Sequence, residues 1–236
     1  MTPHHRPATG NDLVAQVRTR VAADFDARIV AHDMGHLDRV ARLAEQIAEA
    51  ESHDSTVPKL IAYVHDYHRI AESRLGRPVD SAEVIPEIRA LLTELAVPAD
   101  LIDQIEQGVL FNDKYIIKGD QLAGGSLSAR ITRDADKLDA GGAIGIARAF
   151  MYGGATHAEL WDPGAALQTT YRSGSTSSVI AHFYEKLVWL PGEMLTETGK
   201  RMAQDRTAFL VEFLRRFHRE WGDESDAPIN RTIDAR

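Results

Sequence analysis

The sequence predicts an all-α fold, and three observations carry that prediction. Apolar residues recur at three- and four-residue spacing along almost the whole chain, no stretch alternates apolar and polar residues for long enough to make a strand, and capping residues or prolines stand at the starts of several apolar stripes. With 236 residues, 44% of them hydrophobic and 26% charged, the chain can bury a full core. The expected layout is a short N-terminal tail (1–10), a single domain (11–222) and a C-terminal tail (223–236).

The elements follow in order. Asn11 is placed to cap a helix through residue 30, with Leu13, Val14, Val17, Val21 and Phe25 as its stripe. A second helix covers 35–51 on Leu37, Val40, Leu43, Ala44 and Ile47. A third, entered through Pro58 in a first helical turn, runs through "LIAYVHDYHRI" (60–70). Ser81 is a cap candidate for the next, in which Pro86 marks a kink or a late start, and another helix follows Pro98. Helical patterns then cover 126–154, 177–190 and 196–221. Residues 119–125 and 153–177 are loops, the second long enough to cover a substrate.

Composition narrows the function. There is no cysteine, hence no disulfide framework and no thiolate metal site, and neither a signal-peptide pattern nor an 18-residue apolar run, so a cytoplasmic protein away from the membrane is expected. A net charge of −8 argues against a nucleic-acid polymer as partner, while a small anionic substrate remains compatible if the site carries its own cations.

His-Asp occurs at 32–33, 53–54 and 65–66, where ten histidines and twenty aspartates in 236 residues predict about one by chance. Context separates the copies: His53-Asp54 lies in a polar turn, His32-Asp33 at a helix start, and His65-Asp66 inside an apolar helix. A buried carboxylate needs a partner. Two further groups point inward: His36, on the stripe with Val40, Leu43 and Ile47, and Asp136, on a face of small residues with Ala129, Thr132, Ala140 and Ala143. On spacing alone the set reads equally as a metal site and as hydrogen-bonded core histidines beside solvated aspartates.

"GHLDRVARLA" (35–44), "LIAYVHDYHR" (60–69) and "RDADKLDAGGAIGIARAFMYGG" (133–154) resemble, in order and spacing, the successive motifs of the HD superfamily of metal-dependent phosphohydrolases. Residues 182–221 further resemble the bacterial subgroup that includes nucleoside-triphosphate pyrophosphatases. The resemblance implies an HD-domain helical bundle over 11–222, with metal and catalytic residues His36, His65, Asp66 and Asp136, and Lys137 as a phosphate contact. It implies one divalent ion, manganese favoured and Fe²⁺, Co²⁺, Ni²⁺, Zn²⁺ or Mg²⁺ as the other choices, and a nucleotide substrate, with a homodimer as a further expectation. Two imidazoles and two carboxylates neutralise such an ion and leave positions for water and a phosphate oxygen. Arg148 is either a second phosphate contact or the partner of Asp139. His68 and Glu72, beyond the ligand pair, serve acid–base or supporting roles or lie on the surface. His182 and Lys186 match the subgroup motif and would line the pocket.

The chain departs from that subgroup at Ile70, where an acidic residue usually stands, and over 110–120. The function expected is hydrolysis of (deoxy)nucleoside triphosphates to monophosphate and pyrophosphate. The alternatives are a phosphomonoesterase, a cyclic-nucleotide phosphodiesterase, a diiron oxygenase of the same superfamily, or a non-catalytic helical binding protein. Of the two neighbouring aspartates, Asp134→Asn is expected to be milder than Asp136→Asn.

Overall fold

A computed structural model describes residues 9–25, 29, 32–114, 122–167 and 176–222. The tails expected over 1–10 and 223–236 lie outside these residues apart from 9 and 10, as do parts of the 110–120 segment and of both expected loops. Every regular element among the described residues is helical, and none of those helices is long and apolar enough to cross a membrane. The described residues form two compact units, one within 1–114 and 124–133, the other within 115–123 and 134–236.

The first unit contains α1 (Gly10–Ala22), α2 (Met34–Ala50), α3 (Thr56–Val64), α4 (Tyr67–Leu75), α5 (Ser81–Glu94), α6 (Ala99–Asn112) and the start of α7 (Leu127–Asp139). Its centre is α3, where every residue from Pro58 to Val64 is buried and which packs against α1, α2 and α6. Gly108 of α6 makes one of these approaches possible: a Cβ there would stand 2.4 Å from Ile61 Cδ1. Lys59, buried in this helix, donates to Glu45 at 2.5 Å and to Asn11 at 3.2 Å. Thr132 near the middle of α7 donates its hydroxyl to the Pro58 carbonyl at 3.0 Å. The buried Arg133 closes the end of α6, donating to the carbonyls of Phe111 (3.2 Å), Asn112 (2.5 Å) and Lys114 (2.6 Å).

Helix starts differ from the sequence expectation by a residue or two, for a common reason. Thr9 and not Asn11 caps α1, because Thr9 and Asp12 satisfy each other's backbone N–H groups reciprocally. Asp80 and not Ser81 caps α5 through the same exchange with Glu83. Helix α1 ends at Ala22, so the stripe read as far as Phe25 is too long. Pro86 does not delay α5, which starts at Ser81; the proline lies within the helix. The larger corrections are breaks. The helix expected through 60–70 is two, α3 and α4, parted at His65-Asp66 with Asp66 at φ −97°, ψ 17°. The pattern over 126–154 is α7 and α8 (Gly142–Ala155), parted at Ala140-Gly141. The pattern over 177–190 is α9 (Val179–Glu185) and a 3₁₀ segment (Leu187–Glu193), turned at Lys186, with the Trp189 indole donating to the Tyr184 carbonyl at 2.8 Å.

The second unit holds the end of α7, α8, α9, the 3₁₀ segment and α10 (Glu197–Trp221). Phe183, Leu210 and Leu214 are fully buried at its core with Phe150 and Phe213 packed beside them. The Tyr184 hydroxyl meets His218 Nε2 at 2.7 Å inside it. Asp134 ties α7 to the start of α10: fully buried, it accepts the N–H groups of Leu195 (2.9 Å) and Thr196 (2.8 Å) and the Thr196 hydroxyl (2.7 Å), while Thr196 caps α10. Burial outweighs these hydrogen bonds and raises its carboxyl above the ordinary range.

Asp134→Asn would turn one amide face toward these N–H donors, so a loss of about 2–3 kcal/mol in urea unfolding is expected, separately from its effect on activity relative to Asp136→Asn. Gly145→Ala would set a Cβ 2.1 Å from the Ala140 carbonyl oxygen, and a loss of at least about 2 kcal/mol is expected. Gly154→Ala on the same helix meets nothing within 4 Å and should be neutral or stabilising by up to about 1 kcal/mol, making it the control in the same unfolding series.

Candidate metal centre

His36 owes its position to the start of α2. Asp33 caps the helix by accepting the His36 N–H at 2.9 Å, and the Asp33 carbonyl accepts the Leu37 N–H at 3.2 Å, so the third helical residue is fixed just as the stripe turns inward. His36 is fully buried, with Leu37 and Val40. His65 and Asp66 reach the same place from the break between α3 and α4. The His65 N–H still closes α3 onto Ile61 at 2.8 Å, and the Asp66 carbonyl opens α4 by accepting from Arg69 at 2.9 Å. His65 Nδ1 donates to the Ala62 carbonyl at 2.8 Å, which selects the tautomer and leaves Nε2 with its lone pair.

Three imidazole nitrogens surround one carboxylate oxygen. From Asp66 Oδ2, His32 Nδ1 lies at 2.6 Å, His36 Nε2 at 3.4 Å and His65 Nε2 at 3.5 Å. The His36 and His65 rings meet edge to face with centroids 5.4 Å apart. Burial pushes the Asp66 carboxyl up, but the imidazoles of His65 and His32 facing it and the hydrogen bonds from His32 and His36 prevail, holding it well below the usual carboxylate range. The His65 Nε2 lone pair aimed at this buried anion repels it unless positive charge lies between them, as a proton or as a metal ion. Ligand atoms of His32, His36 and Asp66 all lie within 4.8 Å of one another, and nitrogen with carboxylate oxygen is the donor set of a divalent transition metal. The residues fit such an ion.

His68, one residue into α4, is buried with its Nδ1 3.3 Å from the Ser81 hydroxyl, and burial lowers its pKa. Glu72 accepts from Arg69 at 2.8 Å and from the Val79 N–H at 3.2 Å, so its carboxylate serves the α4–α5 connection. His53-Asp54 is turn chemistry, Asp54 accepting the Thr56 N–H at 2.8 Å.

The remaining expected residues lie in the second unit. Asp136 and Lys137 are half-buried near the end of α7. Lys137 pairs with Glu193, and Arg148 with the buried Asp139 at 2.8 Å, which is the structural alternative foreseen for Arg148. Lys186 has its pKa lowered by burial first and then by Lys137 and Arg148, with Asp136 and Glu193 opposing. His182 is brought down to about 4 by burial and by Lys186. Asp136, Lys137, Arg148, His182, Lys186 and Glu193 thus form one electrostatic group. Sequence reasoning missed His32 and Glu193. The His-Asp pair at 32–33 was the available signal for His32, read only as a helix start; nothing in the sequence marked Glu193.

No protein-family model matches the chain. It is 32% identical over 208 residues to YpgQ of Bacillus subtilis, covering 87% of this chain and 92% of that protein. The crystal structure of YpgQ in complex with ADP matches with a TM-score of 0.66, at 28% identity over 89% of this chain and 96% of that one. A crystal structure of a Lactobacillus plantarum protein matches with a TM-score of 0.71, at 30% identity over 90% of this chain and 98% of that one. A Bacillus thuringiensis protein described as an HD-superfamily hydrolase matches with a TM-score of 0.70, at 27% identity over 92% of this chain and the whole of that one. The all-α fold, the His-Asp pair at the α3–α4 break and this run of relatives together make the chain a member of the HD superfamily of hydrolases, in one family with YpgQ.

Proposed function

We propose that the protein is a metal-dependent phosphohydrolase acting on nucleotides, converting a (deoxy)nucleoside triphosphate and water to the monophosphate and pyrophosphate. The observation that carries the reading is the convergence of His32, His36 and His65 nitrogens on the single Asp66 oxygen. The ADP bound to YpgQ supports a nucleotide as ligand. His36, His65 and Asp66 would hold the metal, and the motif order assigns Asp136 as their fourth ligand. Manganese is favoured, with the other first-row ions and magnesium as alternatives. Such an ion supplies an acidified water and stabilises charge on phosphoryl oxygens.

The chain's own residues supply the rest. Ala62 holds the His65 tautomer, and Asp33 holds His36. Lys137 and Lys186 would receive the phosphates, with Arg148 held by Asp139 as a weaker contributor to the same field, and His182 would donate a hydrogen bond. His68, in its buried place beside Ser81, would support the ligand pair.

Asp66→Ala should abolish metal copurification, measured by elemental analysis, and reduce kcat/KM by more than about a hundredfold while far-ultraviolet dichroism keeps its helical signature. Full activity in that variant would remove the site. With Mn²⁺ and the eight common ribo- and deoxyribonucleoside triphosphates, pyrophosphate and monophosphate are the expected products; stepwise orthophosphate release would instead make the protein a phosphatase.

A further inference from the structure

Glu193 enters the charged group of the second unit without any motif to announce it. Its position is built from α7. Asp134 holds the N–H groups of Leu195 and Thr196, and Lys137, one turn further along the same helix, meets Glu193, the last residue of the 3₁₀ segment. Lys186 stands at the other end of that segment, and its charge is opposed by Lys137 and Arg148 and favoured by Asp136 and Glu193. Arg148 is matched by the buried Asp139. If Asp136 is directed to a metal, Glu193 is the carboxylate that balances Lys137. Neither partner is sealed in: the side chains of Lys137 and Glu193 are 16% and 20% exposed, so the carboxylate can swing to water when the lysine changes partner.

We propose that Glu193 is the resident counter-ion of a phosphate subsite, holding Lys137 in place until a phosphate group of the substrate displaces it. This rests on the reading of Lys137 as a phosphate contact. A terminal phosphate carries about −1.5 to −2 charges near neutral pH and competes with a single carboxylate, whereas a monoanion gains little by the exchange. The subsite therefore selects for polyanionic groups, and the carboxylate returning to Lys137 favours departure of a cleaved phosphate product. Glu193 acts through Lys137 and is a positioning residue.

The test measures binding of inorganic pyrophosphate to the metal-free full-length chain by titration calorimetry, with thermal melting to confirm folding. Glu193→Gln should bind about tenfold tighter than wild type, Lys137→Met about tenfold weaker, and the double variant no tighter than Lys137→Met alone. Should Glu193→Gln fold poorly, Glu193→Ala carries the same expectation. Unchanged or weaker binding in the folded Glu193 variants, with Lys137→Met still weakened, would overturn the counter-ion role and leave Lys137 as a phosphate contact. Unchanged binding in Lys137→Met would overturn both. A gain in Glu193→Gln that persists in the double variant would show that the carboxylate acts elsewhere than on Lys137.

Discussion

A carboxylate buried beneath three imidazoles is the constraint on which the first unit depends. Asp66 cannot be stable there as an isolated anion, and neutral histidines alone relieve it only in part, because the Ala62 carbonyl fixes the His65 Nε2 lone pair toward the same oxygen. The surrounding features serve this arrangement. The chain breaks between α3 and α4 so that consecutive residues, which on one continuous helix would diverge by about 100°, both present polar atoms to one centre. The cap at Asp33 fixes the start of α2 at the register that turns His36 inward, and the Ala62 carbonyl settles which His65 nitrogen is available.

The second unit handles charge differently. In a protein with a net charge of −8, three of its cations have a nearby carboxylate: Glu193 for Lys137, Asp139 for Arg148, Asp136 and Glu193 in the field of Lys186. Isolated lysines in such surroundings would lose their protons or destabilise the fold. A neighbouring carboxylate favours the charged form of a lysine, and the pairing is exchangeable because the carboxylate of a partly exposed side chain can be replaced by another anion.

Helical periodicity was legible because it reports burial along a face, and the long stripes of α2 and α10 are found as expected. Local backbone turns were not. No glycine or proline stands at 65–66, so the break there left no trace in the pattern. Cap choice failed by one or two residues for a related reason: Asn11 and Ser81 are good caps in isolation, but Thr9 with Asp12 and Asp80 with Glu83 offer two reciprocal bonds each. Of the candidate site, His36, His65 and Asp66 were picked out by an apolar stripe and a polar interruption, and the resemblance to the HD motifs made a ligand set of them. His32 was not, because a histidine beside a capping aspartate has a sufficient local explanation. The structural role of Asp134 was not legible, because it depends on the backbone N–H groups of Leu195 and Thr196, far along the chain.

His182 has a consequence for behaviour in acid. With its pKa at about 4, it remains uncharged throughout the neutral range, so its ring carries the same single N–H at pH 6 as at pH 8. In the unfolded chain the same imidazole titrates near its ordinary value of about 6.5. Between those two values the unfolded form takes up a proton that the folded form refuses, so acidification drains stability from the second unit through this ring while, until the pH nears 4, the ring itself stays chemically unchanged.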